Sequence, residues 1–446
     1  MSKTRTLSPL PLFDEHSLTT FLQEHGIKTT HAMTLWSTLL RNPDISINEI
    51  PDLPASMKSL LTAPDTQFAK MTSKVVESQI SKDGTIKLLV ELQDGKRVEC
   101  VIIKHEKEST RRPGEMSRRM TLCVSSQVGC AMGCTFCATG TMGLMGNLYA
   151  GEILEQLIHA NRLAKVSNVV FMGMGEPLHN YEAVISAVRA MADGKLFNLR
   201  YWAPDHAFAY SRNRITVSTV GIVPRMRQVP TCLSALQLTR EAPYVTLALS
   251  LHAPTQELRS QIVPSAKTYH LDELMAALDN HVSDLPNRRV LVEYVMLKDV
   301  NDSDEVAHQL GALLKGRKVH LNLIPYNPTE VVIEYQKPAP ERISSFHSIL
   351  IGDQYNIFTT IRAEHGSDIA GACGQLAVQK QSCDSKDCST EHDHKHSHSS
   401  SSCSDSKLTQ DIEDLLTGSS KKASVTRKPT STTPTPIQTS TAPAVV

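Results

Sequence analysis

The chain has 446 residues, of which 40% are apolar, a length and composition that predict two or three domains with a sizeable core. Lysine plus arginine number 46, and aspartate plus glutamate also number 46, so the formal net charge is zero. The overall charge therefore does not indicate a nucleic-acid partner, although a balanced total is compatible with local basic patches. Its apolar runs are too short to cross a bilayer, no secretory signal follows the N-terminus, and ten cysteines are too few for a disulfide scaffold.

The first 108 residues predict an accessory region of short helices followed by a β-meander. Apolar residues at helical spacing indicate helices in "SLTTFLQEH" and "AMTLWSTLLRN". Three strand-like runs follow, "KVVESQI", "TIKLLVEL" and "RVECVII", and Asp-Gly pairs separate them, which is a strong hairpin signal. We therefore predict a helical accessory domain at 1–70 and a meander with a basic linker at 71–119.

Residues 120–380 predict an α/β domain, because strand-like and helix-like runs alternate. Seven strands are predicted, at 121–126, 168–173, 214–219, 245–251, 289–297, 318–324 and 356–362. Amphipathic helical patterns lie between several of them, which favours a parallel sheet, either open or curled into a barrel. Functional residues in such folds collect in the loops that follow the C-terminal ends of the strands.

From 381 to 446 the sequence becomes polar and rich in His, Ser, Thr and Pro, which predicts a disordered tail. The tail can chelate metal adventitiously, and we assign it no catalytic role. Its possible ligands are Cys383, Cys388, His392, His394, His396, His398 and Cys403.

Four cysteines fall in the segment "CVSSQVGCAMGCTFC". Cys130, Cys134 and Cys137 have C-x-x-x-C-x-x-C spacing, which can hold three irons of a 4Fe–4S cluster and leave one iron open. A structural zinc site is the alternative, but it needs four ligands, and no second cysteine pair follows nearby. The spacing favours the cluster. Cys123 fits no ligand spacing.

This loop, with an aromatic residue before its last cysteine, resembles the radical S-adenosylmethionine (SAM) superfamily. Motifs in order along the chain resemble the RlmN/Cfr family of RNA adenine methyltransferases: "TLCVSSQVGC", "FMGMGEPLHN", "SLHAP", "IPYNP" and "DIAGACGQL". The resemblance runs from about residue 70 to 380. It implies a partial (βα)6-type radical SAM barrel, with one 4Fe–4S cluster on the three loop cysteines and SAM at its open iron.

The resemblance also implies catalysis through a methylated cysteine. Cys373 in "GACGQL" matches the family's methyl carrier, and Cys123 matches the resolving thiol that forms a transient disulfide with it and releases the base. Glu99 matches the family's proton acceptor. Taken without the family, Cys373 is more simply a buried cysteine in a turn, and Glu99 a solvated strand residue.

The SAM contacts follow from the same motifs. In "GMGEP", Gly175 and Glu176 are expected to meet the SAM amino group, since a carboxylate suits an ammonium. The family's ribose, carboxylate and adenine contacts are matched by Ser218, Ser250, Leu251, His252 and Asn327. Taken alone, Asn327 is more simply a turn residue that caps its own backbone.

Insertions relative to the compact bacterial pattern leave the RNA substrate open. The insertion at 104–120 adds Arg111, Arg112, Arg118 and Arg119. The insertion at 196–214 interleaves Arg200, Arg212 and Arg214 with Tyr201, Trp202, Phe208 and Tyr210. Arginine and aromatic side chains suit phosphate contacts and base stacking with a splayed RNA strand, although a solvated loop packing its own aromatics is the alternative. A third insertion, at 229–244, contains Cys232.

The resulting expectation is a cytoplasmic, monomeric enzyme that methylates C2 of an adenosine in rRNA or tRNA. It would use two SAM molecules per methyl group and receive electrons from a flavodoxin- or ferredoxin-type donor. No membrane association is expected, and targeting to an organelle is not excluded by the sequence. The alternatives are the Cfr-type reaction at C8, an inactive RNA- or metal-binding homologue, and a radical SAM enzyme with another substrate. The intact cluster cysteines and the Cys123/Cys373 pair argue against the last two.

Overall fold

A computed structural model describes the chain at residues 5–108, 116–197, 214–221, 241–284, 289–329, 331 and 333–377. The predicted tail from 381, Arg111 and Arg112, Cys232, and the insertion at 196–214 except for 196, 197 and 214 lie outside the described residues. Among the described residues, no helix combines the length and the apolar character that a membrane crossing requires.

The N-terminal region begins with three amphipathic helices, α1 (Glu15–Glu24), α2 (Thr30–Arg41) and α3 (Ala55–Thr62). Asp14 caps α1 by accepting the main-chain N–H of Ser17 at 3.0 Å. The indole N–H of Trp36 donates to the Leu12 carbonyl at 2.8 Å, which ties α2 to the chain that precedes α1. There, β1 (Leu10–Pro11) pairs in parallel with β2 (Phe68–Ala69).

The predicted meander is present and belongs to the large sheet. It consists of β3 (Lys74–Ile80), β4 (Ile86–Glu91), β5 (Arg97–Glu108) and β6 (Met116–Cys123), all paired antiparallel. Much of the predicted basic linker at 104–120 therefore lies in strands. The two ends of the linker lie opposite each other in the β5–β6 ladder, where for example His105 is in register with Arg119.

The parallel part of the sheet continues from β6. Its strands are β9 (Asn168–Phe171), β10 (Ile215–Thr219), β11 (Thr246–Ser250), β12 (Val290–Met296), β13 (Val319–Pro325) and β14 (Thr359–Ile361), and each overlaps a predicted run. Among the described residues, the large sheet has ten strands in the order β14-β13-β12-β11-β10-β9-β6-β5-β4-β3. The parallel strands thus follow chain order without reversal, so their C-terminal ends and the loops after them gather at one end of the sheet.

Helices connect these strands. The described ones are α4 (Ala138–Thr141), α5 (Ala150–Leu163), α6 (Tyr181–Ala192), α7 (Gln256–Ile262), α8 (Leu271–Asp284), α9 (Asp304–Leu314) and α10 (Pro340–Ile351). Between β6 and α5 a short hairpin of β7 (Gln127–Gly129) and β8 (Leu144–Asn147) crosses the end of the sheet. The residues between these two strands include the three predicted cluster cysteines.

Buried acidic residues on α5 hold the N-terminal region against the catalytic part of the sheet. Arg5 donates to Glu152 at 2.7 Å and to Asp94 at 2.8 Å. Glu155 accepts the main-chain N–H of Thr72 at 2.9 Å and the hydroxyl of Ser73. Burial raises the pKa of Glu155 to about 7, although these hydrogen bonds oppose the rise.

Candidate active site

The cysteine loop is closed by backbone contacts that only glycine permits. Gly129, at the end of β7, has a φ of +72°, and a Cβ there would lie 1.9 Å from the Gly143 carbonyl oxygen. The main-chain N–H of Cys130 donates to that carbonyl at 3.1 Å, and the N–H of Cys137 donates to the Cys134 carbonyl at 3.1 Å. These bonds fold the segment into a tight loop over the end of the sheet.

The three loop thiols lie near one another, with Cys134 buried and Cys130 and Cys137 half-buried. Burial raises the pKa of Cys130 to about 12 and that of Cys134 well above its ordinary value. Cys130 and Cys137 raise the pKa of Cys134 further, because each disfavours a second negative charge nearby. The described residues contain no group of three or more His, Cys, Asp or Glu side chains arranged to hold a single metal ion.

This donor set fits an iron–sulfur cluster by its chemistry, because each iron of a 4Fe–4S cluster takes its own thiolate. A four-ligand structural zinc site, by contrast, needs its ligands to converge on one ion.

The predicted methyl carrier and resolving thiol line the same pocket. Cys123 ends β6, and Cys373 lies in the segment that follows β14. That segment packs onto the cysteine loop, since the Ala138 N–H donates to the Gly374 carbonyl at 2.8 Å. All six described cysteines are free thiols, so the predicted disulfide is absent from this structure, and its transient formation stays a prediction.

Two hydrogen-bonded carboxylates hold the Cys373 segment against the β3–β4 turn. Asp83 accepts the N–H of Gly366 at 3.2 Å and a ring nitrogen of His365 at 3.1 Å. From the other side, Asp368 accepts the N–H of Lys82 at 3.2 Å and the hydroxyl of Ser81. The meander therefore acts as a support for the segment that contains Cys373.

Glu99 is buried on β5, so the alternative that it is a solvated strand residue is wrong. Its side chain is 7% exposed, with Oε1 lying 3.3 Å from Nζ of Lys87 on the neighbouring strand β4. Its Oε2 is buried and has no hydrogen-bond partner among the described residues. Burial raises the pKa of Glu99, and Lys87 together with a hydrogen bond from the main chain of Ala377 opposes that rise. A buried carboxylate with one unengaged oxygen is suited to accept a proton.

Gly175 and Glu176 lie where β9 ends, beside the cysteine loop. Gly175 has a φ of +102°, and a Cβ there would lie 2.6 Å from Cβ of Gln127. Glu176 is buried; its Oε1 accepts the Leu178 N–H and its Oε2 accepts the Val220 N–H, both at 3.0 Å. Burial raises the pKa of Glu176 to about 7. The negative charge of Glu176 also raises the pKa of Cys130, which indicates that the carboxylate lies near the cysteine loop.

The remaining predicted SAM residues gather at the ends of β10, β11 and β13. The hydroxyl oxygens of Ser218 and Ser250, on adjacent strands, lie 3.2 Å apart. Nδ1 of His252 accepts the Val295 N–H at 3.1 Å, and burial lowers the pKa of this ring to about 3, so it is neutral at pH 7. The side chain of Leu251 lies in the core, with its N–H bonded to the Glu293 carbonyl.

Asn327, one of the predicted SAM contacts, is hydrogen-bonded to the segment of Cys373. Its amide nitrogen donates to the Cys373 carbonyl at 3.4 Å, while its buried Oδ1 has no partner among the described residues. An unengaged buried acceptor indicates a place for a ligand donor such as an amino group. The alternative that Asn327 caps its own turn is not what these contacts show.

Three basic residues of the site were not predicted, of which Lys87 and Arg259 are buried and Arg362 is partly exposed. Lys87 pairs with Glu99, and Arg362 lines the pocket of Cys123 and Cys373. Arg259 on α7 is fully buried and donates to the carbonyls of Val220 and Leu251 at 2.7 and 3.0 Å. Arg362 follows directly on β14, so the rule that polar residues after parallel strands line the site could have found it. Lys87 and Arg259 carry no such signal.

Comparison with known proteins shows the class to which this chain belongs. The family model described as "Radical SAM superfamily" matches residues 124–310. A crystal structure of a radical SAM methyltransferase from Sphaerobacter thermophilus is similar with a TM-score of 0.68 and 37% identity, covering 82% of this chain and 99% of that one. The fold and the three-cysteine loop thus define a radical SAM protein.

Curated relatives narrow the class. The chain is 37% identical over 377 residues to "Probable dual-specificity RNA methyltransferase RlmN" of Symbiobacterium thermophilum, covering 84% of this chain and 92% of that protein. It is 42% identical over 339 residues to a protein of the same name from Thermotoga neapolitana, covering 75% and 88%. A "Ribosomal RNA large subunit methyltransferase N" from Nitrosopumilus maritimus is 38% identical, covering 74% and 87%. The chain belongs to the RlmN family.

Proposed function

We propose that this protein is a SAM-dependent radical methyltransferase that methylates C2 of an adenosine in rRNA or tRNA through a methylated Cys373. The observation that carries the proposal is the shared pocket of Cys123 and Cys373 beside the three-cysteine loop. The names of the relatives, which specify RNA methyltransferases, support the substrate class. The unbroken order of the parallel strands supports the partial barrel of this superfamily.

The cofactors we propose are one 4Fe–4S cluster held by Cys130, Cys134 and Cys137, and SAM. When bound, they supply one methyl group for Cys373 and, from a second SAM, a 5′-deoxyadenosyl radical that takes a hydrogen from that methyl group. The buried carboxylate of Glu176 suits the SAM ammonium, and Oδ1 of Asn327 suits the adenine amino group. Gly175, Ser218, Ser250, Leu251 and His252 complete the proposed SAM set.

The chain's own residues carry the later steps of the proposal. The methylene radical on the Cys373 sulfur adds to C2 of the base and forms the new carbon–carbon bond. Glu99 then accepts the proton that leaves C2, since its Oε2 has no hydrogen-bond partner among the described residues. The Cys123 thiolate then attacks the sulfur of Cys373. A sulfur–sulfur bond forms, the sulfur–carbon bond to the base breaks, and its electron pair stays on the carbon, which takes a proton to become the methyl group. The unpaired electron that remains from the radical addition would pass to the oxidised 4Fe–4S cluster, which supplies one-electron chemistry when bound.

The target base reaches this pocket only if it leaves its stack, so a single-stranded or flipped adenosine is the proposed substrate. We further propose a flavodoxin- or ferredoxin-type electron donor, a monomer, and the cytoplasm as the compartment. The domain division into 1–70, 71–119, 120–380 and 381–446 is kept as a proposal.

The test is product analysis. The protein is reconstituted with iron and sulfide without oxygen and incubated with SAM, reductant and total RNA, and the nucleosides are identified by mass spectrometry. Formation of 2-methyladenosine supports the proposal, and 8-methyladenosine supports the Cfr-type alternative instead. SAM cleavage without either nucleoside contradicts the assignment to these RNA substrates. A matched Cys373→Ala variant is expected to form neither nucleoside.

A further inference from the structure

The pocket shared by the two reactive thiols contains a guanidinium. Arg362 follows β14 and lines this pocket together with Cys123 and Cys373. Its main-chain N–H donates to the Leu323 carbonyl at 2.8 Å, which fixes its backbone against β13. Its side chain therefore starts from a rigid point of the sheet.

The charge of Arg362 is only partly matched by a carboxylate. The nearest approach to Glu293 on β12 joins Nη1 to Oε2 at 3.8 Å, which is longer than a hydrogen bond. That oxygen already accepts the amide of Asn322 at 3.0 Å. Within the described part of the chain, the side-chain hydrogen bond of Arg362 goes to the weak acceptor Sδ of Met172, at 3.7 Å. Most of its five N–H donors thus remain for other partners.

The chemistry proposed for this pocket needs an anion at Cys123. A thiolate, not a thiol, is the nucleophile in disulfide formation. Burial is the largest cause of the raised pKa of Cys123, nearby Cys373 also raises it, and Arg362 opposes the rise, so that with all of them present the pKa is about 12. Loss of the cation from this pocket would raise the pKa further and leave still less thiolate at neutral pH.

The other titratable groups around Cys123 do not supply that cation. Cys100 on β5 and Cys373 become anions when they ionise, and Glu293 faces Arg362 from β12. Glu364 and His365 also line the pocket, but Glu364 pairs with Lys337, and His365 contacts Asp83.

We propose that Arg362 is a positioning residue that stabilises the thiolate of Cys123 beside Cys373 and so makes resolution of the protein–RNA intermediate fast. This inference rests on the proposed function and adds an electrostatic requirement to it. An ion pair with Glu293 that serves only stability is the competing explanation, and the two differ in what removal of each partner does to the thiol.

The experiment is a thiol titration of the full-length, cofactor-free protein. Each protein is alkylated with iodoacetamide between pH 6 and pH 10, and Cys123 is followed by peptide-resolved mass spectrometry. Arg362→Gln is expected to raise the apparent pKa of Cys123 by at least one unit, so that alkylation at pH 8 is about tenfold slower than in the unchanged protein. Arg362→Lys keeps the charge and is expected to restore the rate to within about threefold.

Two further variants separate this role from a structural one. Glu293→Gln removes the competing carboxylate and is expected to leave the apparent pKa of Cys123 unchanged or to lower it. Arg317→Gln, which removes a surface guanidinium paired with Asp279, is the matched control and is expected to change nothing. Thermal unfolding of each variant shows which of them fold.

The proposal is overturned if Arg362→Gln leaves the titration unchanged, if Glu293→Gln slows Cys123 as much as Arg362→Gln does, or if Cys123 is not alkylated up to pH 10. Should Arg362→Gln not fold, the lysine and Glu293 variants decide by the same criteria. The titration uses no RNA, SAM or cluster. Its failure is therefore distinguishable from a failure to form 2-methyladenosine.

Discussion

Replacing Lys87 with methionine is expected to disable Glu99 near neutral pH without removing it. The two side chains are buried on adjacent strands, with 3.3 Å between Nζ and Oε1. At an effective dielectric constant of 20, two unit charges at that distance attract by about 5 kcal/mol before desolvation and relaxation are subtracted. We expect about 1.4 to 2.8 kcal/mol of this to remain as preference for ionised Glu99, which corresponds to one to two pKa units.

The direction of the change follows from burial. Burial already raises the pKa of Glu99, and loss of the Lys87 cation raises it further. Because the proposed base acts only when ionised, activity falls as pH drops through this pKa. The acidic limb of the pH–activity profile is thus expected to move up by one to two units in Lys87→Met and to stay in place in Lys87→Arg.

The assay is single-turnover formation of 2-methyladenosine between pH 5.5 and pH 9. Lys74→Met is the matched control, because Lys74 makes an exposed ion pair with Glu91 at 2.9 Å on the same meander. Exposed pairs contribute little, so this control is expected to keep the unchanged profile. A Lys87→Met profile that is lowered equally at every pH, with its limb unmoved, would refute the reasoning.

Three further outcomes are expected. Asp83→Ala should lower the free energy of unfolding by about 1 kcal/mol at pH 7 in urea titrations, because the Asp83 side chain is 36% exposed and solvent screens its charge. Burial alone would raise the pKa of Asp83, but hydrogen bonds from Thr85, Ser81 and His365 hold it well below its usual range. The stabilisation is therefore present above about pH 4, and the difference in unfolding free energy between the variant and the unchanged protein should shrink as pH falls below that value. Gly175→Ala should weaken SAM binding by calorimetry at least tenfold in the reconstituted protein, because a Cβ at φ +102° meets Gln127; unchanged affinity would contradict that contact. Glu155→Gln should flatten the fall in unfolding free energy between about pH 4 and pH 7. Burial raises the pKa of this carboxyl to about 7, so its ionisation destabilises the fold as pH rises through that range. An equal slope of unfolding free energy against pH in both proteins would contradict this.

The strands and helices could be predicted because their apolar periodicity is local. The run "KVVESQI" lies at Lys74–Ile80 of the sheet as predicted, and α8 begins at Leu271, where "LDELMAALDNHV" begins. The linker at 104–120 was not predicted as a strand, because its many charged residues do not alternate with apolar ones. Its β structure depends on pairing between β5 and β6, which the single sequence does not display.

Residues of the candidate site could be predicted where they lie in sequence motifs that resemble those of the family. The grouping of Cys123 with Cys373 came from a family resemblance, and the structure brings the two residues to one pocket although they are far apart in the chain. The basic residues Lys87 and Arg362 were predicted neither from a motif nor from a periodic pattern. Lys87 meets Glu99 through the register of β4 and β5, and Arg362 lines the same pocket as Cys123 although several strands separate β14 from β6 in the sheet. The burial of Glu99 likewise depends on what covers the sheet.

The most direct test of the central claim is to trap the proposed intermediate. Cys123→Ala is incubated with SAM, reductant and total RNA after anaerobic reconstitution, and protein and RNA are separated under denaturing conditions. The account predicts that this variant accumulates RNA bound covalently through Cys373, while the unchanged protein releases 2-methyladenosine. If Cys123→Ala instead releases methyladenosine at the normal rate, or if the bound RNA is attached to another residue, the proposed roles of Cys373 and Cys123 are contradicted.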